Sequence, residues 1–133
     1  FAQHQVSSIA LQAVEPSAVH KYGIAGLNHG GEVAQLIEKP SIEQAPSNLA
    51  VLGRYLFTPS IFAELAQTQR GVGGEIQLTD AMHALLNKEK MRGVVFDGEV
   101  HDCGDKLGYL AATLTFAQRH PELGEAFKKM LKS

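Results

Sequence analysis

Gln35–Phe57 reads QLIEKPSIEQAPSNLAVLGRYLF, and this stretch decides the kind of fold. A strand-like run reaches Glu38-Lys39 and stops at Pro40, because proline has no N–H to give a β-ladder. A polar loop follows, and Pro46-Ser47-Asn48 leads into the apolar run LAVLGRYLF, which suits a strand covered on both faces. Two strands therefore flank a loop, with a carboxylate and an ammonium at the rim of a sheet. Upstream, SIALQAV (residues 8 to 14) alternates and carries strand formers, while EPSAVHKYG breaks the pattern at Pro16 with a short helical turn. IAGLNHGGEVAQLIEK reads as a hairpin about Gly30-Gly31, since glycine takes positive φ at little cost.

Downstream the period changes. Thr58-Pro59 opens a helix with a hydroxyl N-cap and a proline in the first turn, and Ile61, Phe62, Leu65 and Ala66 follow at helical spacing. Ile76, Leu78, Ala81, Met82, Leu85 and Leu86 predict a second helix between Glu75 and about Lys88, its first turn open to irregularity. MRGVVFDGEVHDCGD returns to extended structure, and Leu107–Arg119 and Pro121–Leu131 predict two amphipathic helices. Strands and helices mixed in this way give an α/β layered fold with its site at strand ends.

A chain of 133 residues is one domain's worth, 1–133, and its 44% hydrophobic and 20% charged residues are those of an ordinary globular chain. Twelve basic against fourteen acidic residues give a net charge of −2, which argues against nucleic acid and anionic membrane as partners and leaves room for one local anion site. The single cysteine, Cys103, permits no internal disulfide, which fits a reducing cytoplasm.

Two clusters invite chemistry. Adjacent strand residues point to opposite faces, so Glu38 and Lys39 serve one ligand only where the strand ends. There the carboxylate accepts from the hydroxyls of a polyol and the ammonium meets a phosphate as a point charge; taken by themselves, the three residues favour a surface ion pair worth under about 1 kcal/mol. In HDCGDK, Asp102 and Asp105 flank Gly104. Magnesium takes one or two protein carboxylates plus phosphate oxygens and water, which makes Asp102 the metal candidate. Asp105 reads better as the N-cap of the helix that follows. The six histidines form no zinc pattern with Cys103, which reads as a small packing residue. GVGGE fits neither phosphate-loop fingerprint, and Arg70 before it defaults to exposure.

YGI at Tyr22–Ile24, IEKP at Ile37–Pro40, PSNLAVLGRYLF at Pro46–Phe57, GGEIQLTDA at Gly73–Ala81 and HDCGDKLGYL at His101–Leu110 together resemble the bacterial UTP-glucose-1-phosphate uridylyltransferases, also called UDP-glucose pyrophosphorylases, in order and spacing. Each motif is short, but five stand in register along essentially the whole chain. The resemblance implies a Rossmann-like nucleotidyltransferase fold with a mixed sheet and C-terminal helices. It implies that Glu38 binds sugar hydroxyls, Lys39 binds the phosphate of glucose 1-phosphate, the Gly23 backbone approaches the sugar, and Asn48 to Val51 line the pocket. Asp102 would share Mg²⁺ with a second aspartate, making Lys39 and Asp102 the catalytic pair. Glucose 1-phosphate, UTP and UDP-glucose are the implied ligands and a homo-oligomer the implied assembly.

The family's glycine-rich GxGTRxxPxTK segment does not occur in these 133 residues. The expectation is therefore a sugar-binding, C-terminal half that begins midway through the fold, lacks the uridine site and is inactive alone. Two other readings stand beside it: a non-catalytic sugar-phosphate-binding or assembly module, and a thymidylyltransferase-like relative.

Overall fold

The computed structural model describes residues 5–71 and 74–132. One domain over 1–133 is the sequence expectation; the chain packs as two compact units, Phe1–Asp97 and Gly98–Ser133.

The first unit is a five-stranded sheet with helices on one face. Its strands are β1 (Ser7–Ala13), β2 (Gly23–Leu27), β3 (Val33–Glu38), β4 (Leu49–Leu56) and β5 (Met91–Val95), in the order β3-β2-β4-β1-β5. β1 runs parallel to β5 and antiparallel to β4, and β2 runs antiparallel to both β3 and β4, so the sheet is mixed. Helices α1 (Ser60–Gln67) and α2 (Leu78–Leu86) lie between β4 and β5 in the chain.

Alternation along each strand sends one set of residues toward the helices. Ile9, Leu11, Ala25, Leu36 and Met91 form the main core with Ile61 of α1 and Ala81, Met82 and Leu85 of α2. Burying a side chain the size of Met82 or Leu85 contributes about 1.5–3 kcal/mol. Ile24 and Ala50 face the other way and pack with Val19 of the short 3₁₀ helix Pro16–Lys21. The hairpin turn is tied by Asn28, whose Oδ1 accepts from the N–H groups of Gly30 and Glu32 while Gly31 takes φ 75°.

Three expectations change. β4 is not covered on both faces: its register against β1 shifts between Ile9 and Leu11, Gly53 takes φ 66°, and of its residues only Ala50 is buried while Leu56 is 54% exposed. A bulge there kinks the strand locally, while Tyr55 and Leu56 still pair with Ile9 and Ser8 beyond it. Thr58 does not cap α1 with its hydroxyl; that hydroxyl donates to Glu89 Oε1 at 2.6 Å, as Ser7 does at 2.9 Å. α2 begins at Leu78 rather than near Glu75, because Gln77 is extended at φ −87°, ψ 125°.

The second unit carries α3 (Lys106–Arg119) and α4 (Gly124–Met130). Asp105 caps α3, its Oδ2 accepting from the Gly108 N–H at 2.9 Å. Cys103 is exposed rather than a packing residue, because the turn that holds it lies at the surface. Among the described residues no helix is long and apolar enough to cross a membrane.

Candidate functional site

The pairing of β2 with β3 sets Gly23 directly opposite Glu38, so the first residue of one strand meets the last of the next. Glu38 lies on the same side of β3 as Leu36, toward α2. Its Oε2 accepts from Thr79 Oγ1 at 2.7 Å. A Cβ at Gly23 would lie 3.0 Å from that same Oε2 and 3.3 Å from the Thr79 hydroxyl, so glycine leaves the room in which the carboxylate sits.

Lys39 then departs from the strand. Its φ is 46°, in the left-handed region that L-residues with a side chain avoid at a cost of about 1–2 kcal/mol. The residue before a proline is normally extended, which makes this conformation doubly unusual. Its N–H still donates to the Tyr22 carbonyl at 3.0 Å, and Pro40 behind it is fully buried, so the turn is held from both sides. The strand's alternation is thereby broken, and Lys39 Nζ comes to 4.0 Å from Glu38 Oε1 instead of facing away. The lysine side chain is 58% exposed against 20% for the glutamate. An ion pair that open contributes little to stability, yet the backbone strain persists, and strain of this kind gathers where a site requires it.

Beside this pair lies a cleft of 340 Å³ lined by Leu36, Ile37, Glu38, Gln77, Asp80 and His83, between β3 and the start of α2. Tyr55 on β4 belongs to the same neighbourhood: its partial burial, and secondarily the Glu38 charge, raise its phenol above the ordinary value. Its ring stacks on Phe57 at 5.4 Å. Neither Thr79 nor Tyr55 was singled out as a site residue from sequence. Thr79 carried one available signal, because the helical period places it one turn before Met82, on the core-facing stripe where a hydroxyl needs a partner.

Each remaining sequence candidate has its own local contacts. Asn48 donates from Nδ2 to the Val14 carbonyl at 2.9 Å and accepts the Val14 N–H on its own carbonyl, which ties the loop to the end of β1. Val51 stands opposite Leu11 and packs against the main core. Arg70 is exposed and donates to the Gly74 carbonyl at 2.7 Å; residues 72 and 73 of GVGGE lie outside the described residues. In the second unit, Asp102 is exposed and its Oδ1 accepts from the Gly104 N–H at 2.9 Å. A Cβ at Gly108 would overlap the Asp102 carbonyl oxygen, so glycine there lets this turn lie against α3. Glu99 accepts from Arg119 Nη2 at 2.6 Å, and that bond lowers its carboxyl below the ordinary range.

Residues 1–119 match the family model described as nucleotidyl transferase. The chain belongs to that family. It is 44% identical over 140 residues to the UTP–glucose-1-phosphate uridylyltransferase of Haemophilus influenzae, an alignment covering 100% of this chain and 48% of that protein. Among solved structures it resembles a UTP-bound UGPase from Acinetobacter baumannii, with TM-score 0.85 and 36% identity over 99% of this chain and 47% of the other. A UDP-glucose pyrophosphorylase complexed with UDP-glucose gives TM-score 0.84 and 36% identity over 90% of this chain and 47% of that one. The chain thus spans about half the length of the relatives it matches. The mixed α/β sheet with helices agrees with the nucleotidyltransferase architecture expected from sequence.

Proposed function

We propose that this chain carries the sugar-1-phosphate site of a UTP-glucose-1-phosphate uridylyltransferase, which joins UTP and glucose 1-phosphate into UDP-glucose and pyrophosphate. The observation that carries the reading is the left-handed Lys39, which sets an ammonium and a carboxylate side by side at a strand end opposite Gly23. A phosphorylated sugar offers hydroxyl donors to Glu38 and an anion to Lys39 in one molecule. The similarity to a UTP–glucose-1-phosphate uridylyltransferase, and to solved enzymes bound to UTP and to UDP-glucose, supports the same ligands.

In the reaction, a phosphate oxygen of glucose 1-phosphate attacks the α-phosphorus of UTP, the α–β anhydride bond breaks, and pyrophosphate leaves with the electron pair of that bond. Lys39 holds the attacking phosphate by its charge, and Glu38 fixes the sugar by its hydroxyls. Placing two polyanions in line lowers the barrier without any covalent step on the protein. Asp102 is the residue that would hold Mg²⁺. Among the described residues no group of three or more His, Cys, Asp or Glu side chains converges on one point. A single exposed carboxylate still fits Mg²⁺, which keeps most of its ligands as water and phosphate oxygens. When bound, the ion offsets the charge of the phosphates.

A homo-oligomer has its support in Leu107, Leu110 and Leu114, exposed along one stripe of α3. Calorimetric titration with glucose 1-phosphate, with and without Mg²⁺, and separately with UTP, tests the reading. Saturable binding of the sugar phosphate is expected; a flat titration with glucose 1-phosphate under both conditions rejects it.

A further inference from the structure

We infer that Thr79 is a positioning residue, which anchors one oxygen of Glu38 and so fixes the direction in which the other faces the sugar. The inference rests on the sugar-phosphate reading above. A carboxylate has two oxygens and free rotation at its end, so a lone Glu38 would offer either oxygen in many orientations. Here Oε2 is engaged by the Thr79 hydroxyl at 2.7 Å, the short distance of a charge-assisted bond, and the threonine is buried. Oε1 is the oxygen left toward Lys39 Nζ, at 4.0 Å. The two groups that would read hydroxyl and phosphate are therefore Oε1 and Nζ, and Thr79 sets the first of them.

Two local features make threonine suited to this place. A threonine inside a helix can return its hydroxyl to the carbonyl four residues earlier. Thr79 is the second residue of α2, and the residue four before it, Glu75, lies outside the helix. Its hydroxyl is thereby available across the gap to β3. Gly23 completes the arrangement, because a Cβ there would crowd both partners of the bond. The bond spans 41 residues of sequence and ties the end of β3 to the start of α2, the two walls of the 340 Å³ cleft.

The test compares Thr79→Val, which keeps the shape and loses the hydroxyl, with Thr79→Ser, which keeps the hydroxyl, in the 133-residue chain. Calorimetry uses α-D-glucose 1-phosphate and, separately, inorganic phosphate, which needs Lys39 but not Glu38. Thr79→Val is expected to weaken the sugar phosphate by about tenfold, Thr79→Ser to restore it to within about threefold, and inorganic phosphate to change by less than about twofold throughout. Equal losses for both ligands, or no loss for either, overturn the inference. A second measurement needs no ligand: urea midpoints of Thr79→Val in the native and Glu38→Ala backgrounds. A drop in the first background only supports the Thr79–Glu38 coupling, and equal drops overturn it. If the native chain binds neither ligand, the sugar-phosphate reading fails while the midpoints still decide whether Thr79 sets Glu38.

Discussion

Replacing Lys39 by glycine and by alanine separates what this residue does for the ligand from what it does to the backbone. Both variants remove the ammonium, and both keep the N–H that bonds the Tyr22 carbonyl. They differ in the Cβ that φ 46° makes costly. At an ordinary strand position alanine is the more stable of the two by about 0.5–1 kcal/mol, because glycine has more freedom to lose on folding. At Lys39 the left-handed backbone charges any residue with a Cβ about 1–2 kcal/mol. Setting one against the other, Lys39→Gly should exceed Lys39→Ala in stability by about 0.5–1 kcal/mol. With a urea slope of about 2 kcal/mol per molar, that is a midpoint higher by roughly 0.3–0.5 M. Neither variant should hold glucose 1-phosphate better than about tenfold below the native chain. An alanine midpoint equal to or above the glycine one would refute the claim that the backbone is held against its preference for the sake of the ligand.

Tyr55 should titrate above the ordinary phenol value, and Glu38→Gln should bring it part of the way back, since burial is the larger cause and the carboxylate charge the smaller. The fold favours the neutral phenol, so this contribution to stability is whole below the unfolded value and disappears as pH rises through the higher folded one; NMR titration of the ring carbons reads both effects, and an unchanged Tyr55 in Glu38→Gln would place the charge elsewhere. Asp105→Ala should cost about 1 kcal/mol as the α3 cap is lost, while Asp105→Asn stays close to native. Amide exchange at Gly108, whose N–H that carboxylate accepts, reports the difference, and equal protection in the two variants would deny the cap. Gly23→Ala should weaken glucose 1-phosphate by about tenfold with little change in urea midpoint, because the added Cβ presses on Glu38 Oε2 in an extended backbone that alanine tolerates.

Periodicity made most of the fold legible. The alternation of SIALQAV and the apolar spacing through Met82 and Leu85 gave β1 and α2 directly, and Gly30-Gly31 marked the hairpin turn. What stayed hidden has physical causes. Composition made LAVLGRYLF look buried on both sides, but a bulge at Gly53 is a matter of register, which one strand's sequence does not carry. Thr58 had the residue type of a cap, and a partner 31 residues away in Glu89 took its hydroxyl. The Glu38-Lys39 pair was legible as a charged strand end, yet the left-handed turn that brings the two together was not, since lysine gives no sign of positive φ. Thr79 bonds Glu38 from 41 residues away, so the helical period marks its core-facing side but not its partner, and nothing local announces that Tyr55 feels the Glu38 charge.

The central claim is that Glu38 and Lys39 form a sugar-phosphate site at the ends of β2 and β3. Backbone amide NMR of the 15N-labelled chain, titrated with glucose 1-phosphate, tests it most directly because it locates binding as well as detecting it. The account predicts saturable shifts concentrated at Gly23, Glu38, Lys39 and Thr79. Shifts absent from those four, or gathered at the Asn28–Glu32 turn instead, would contradict it.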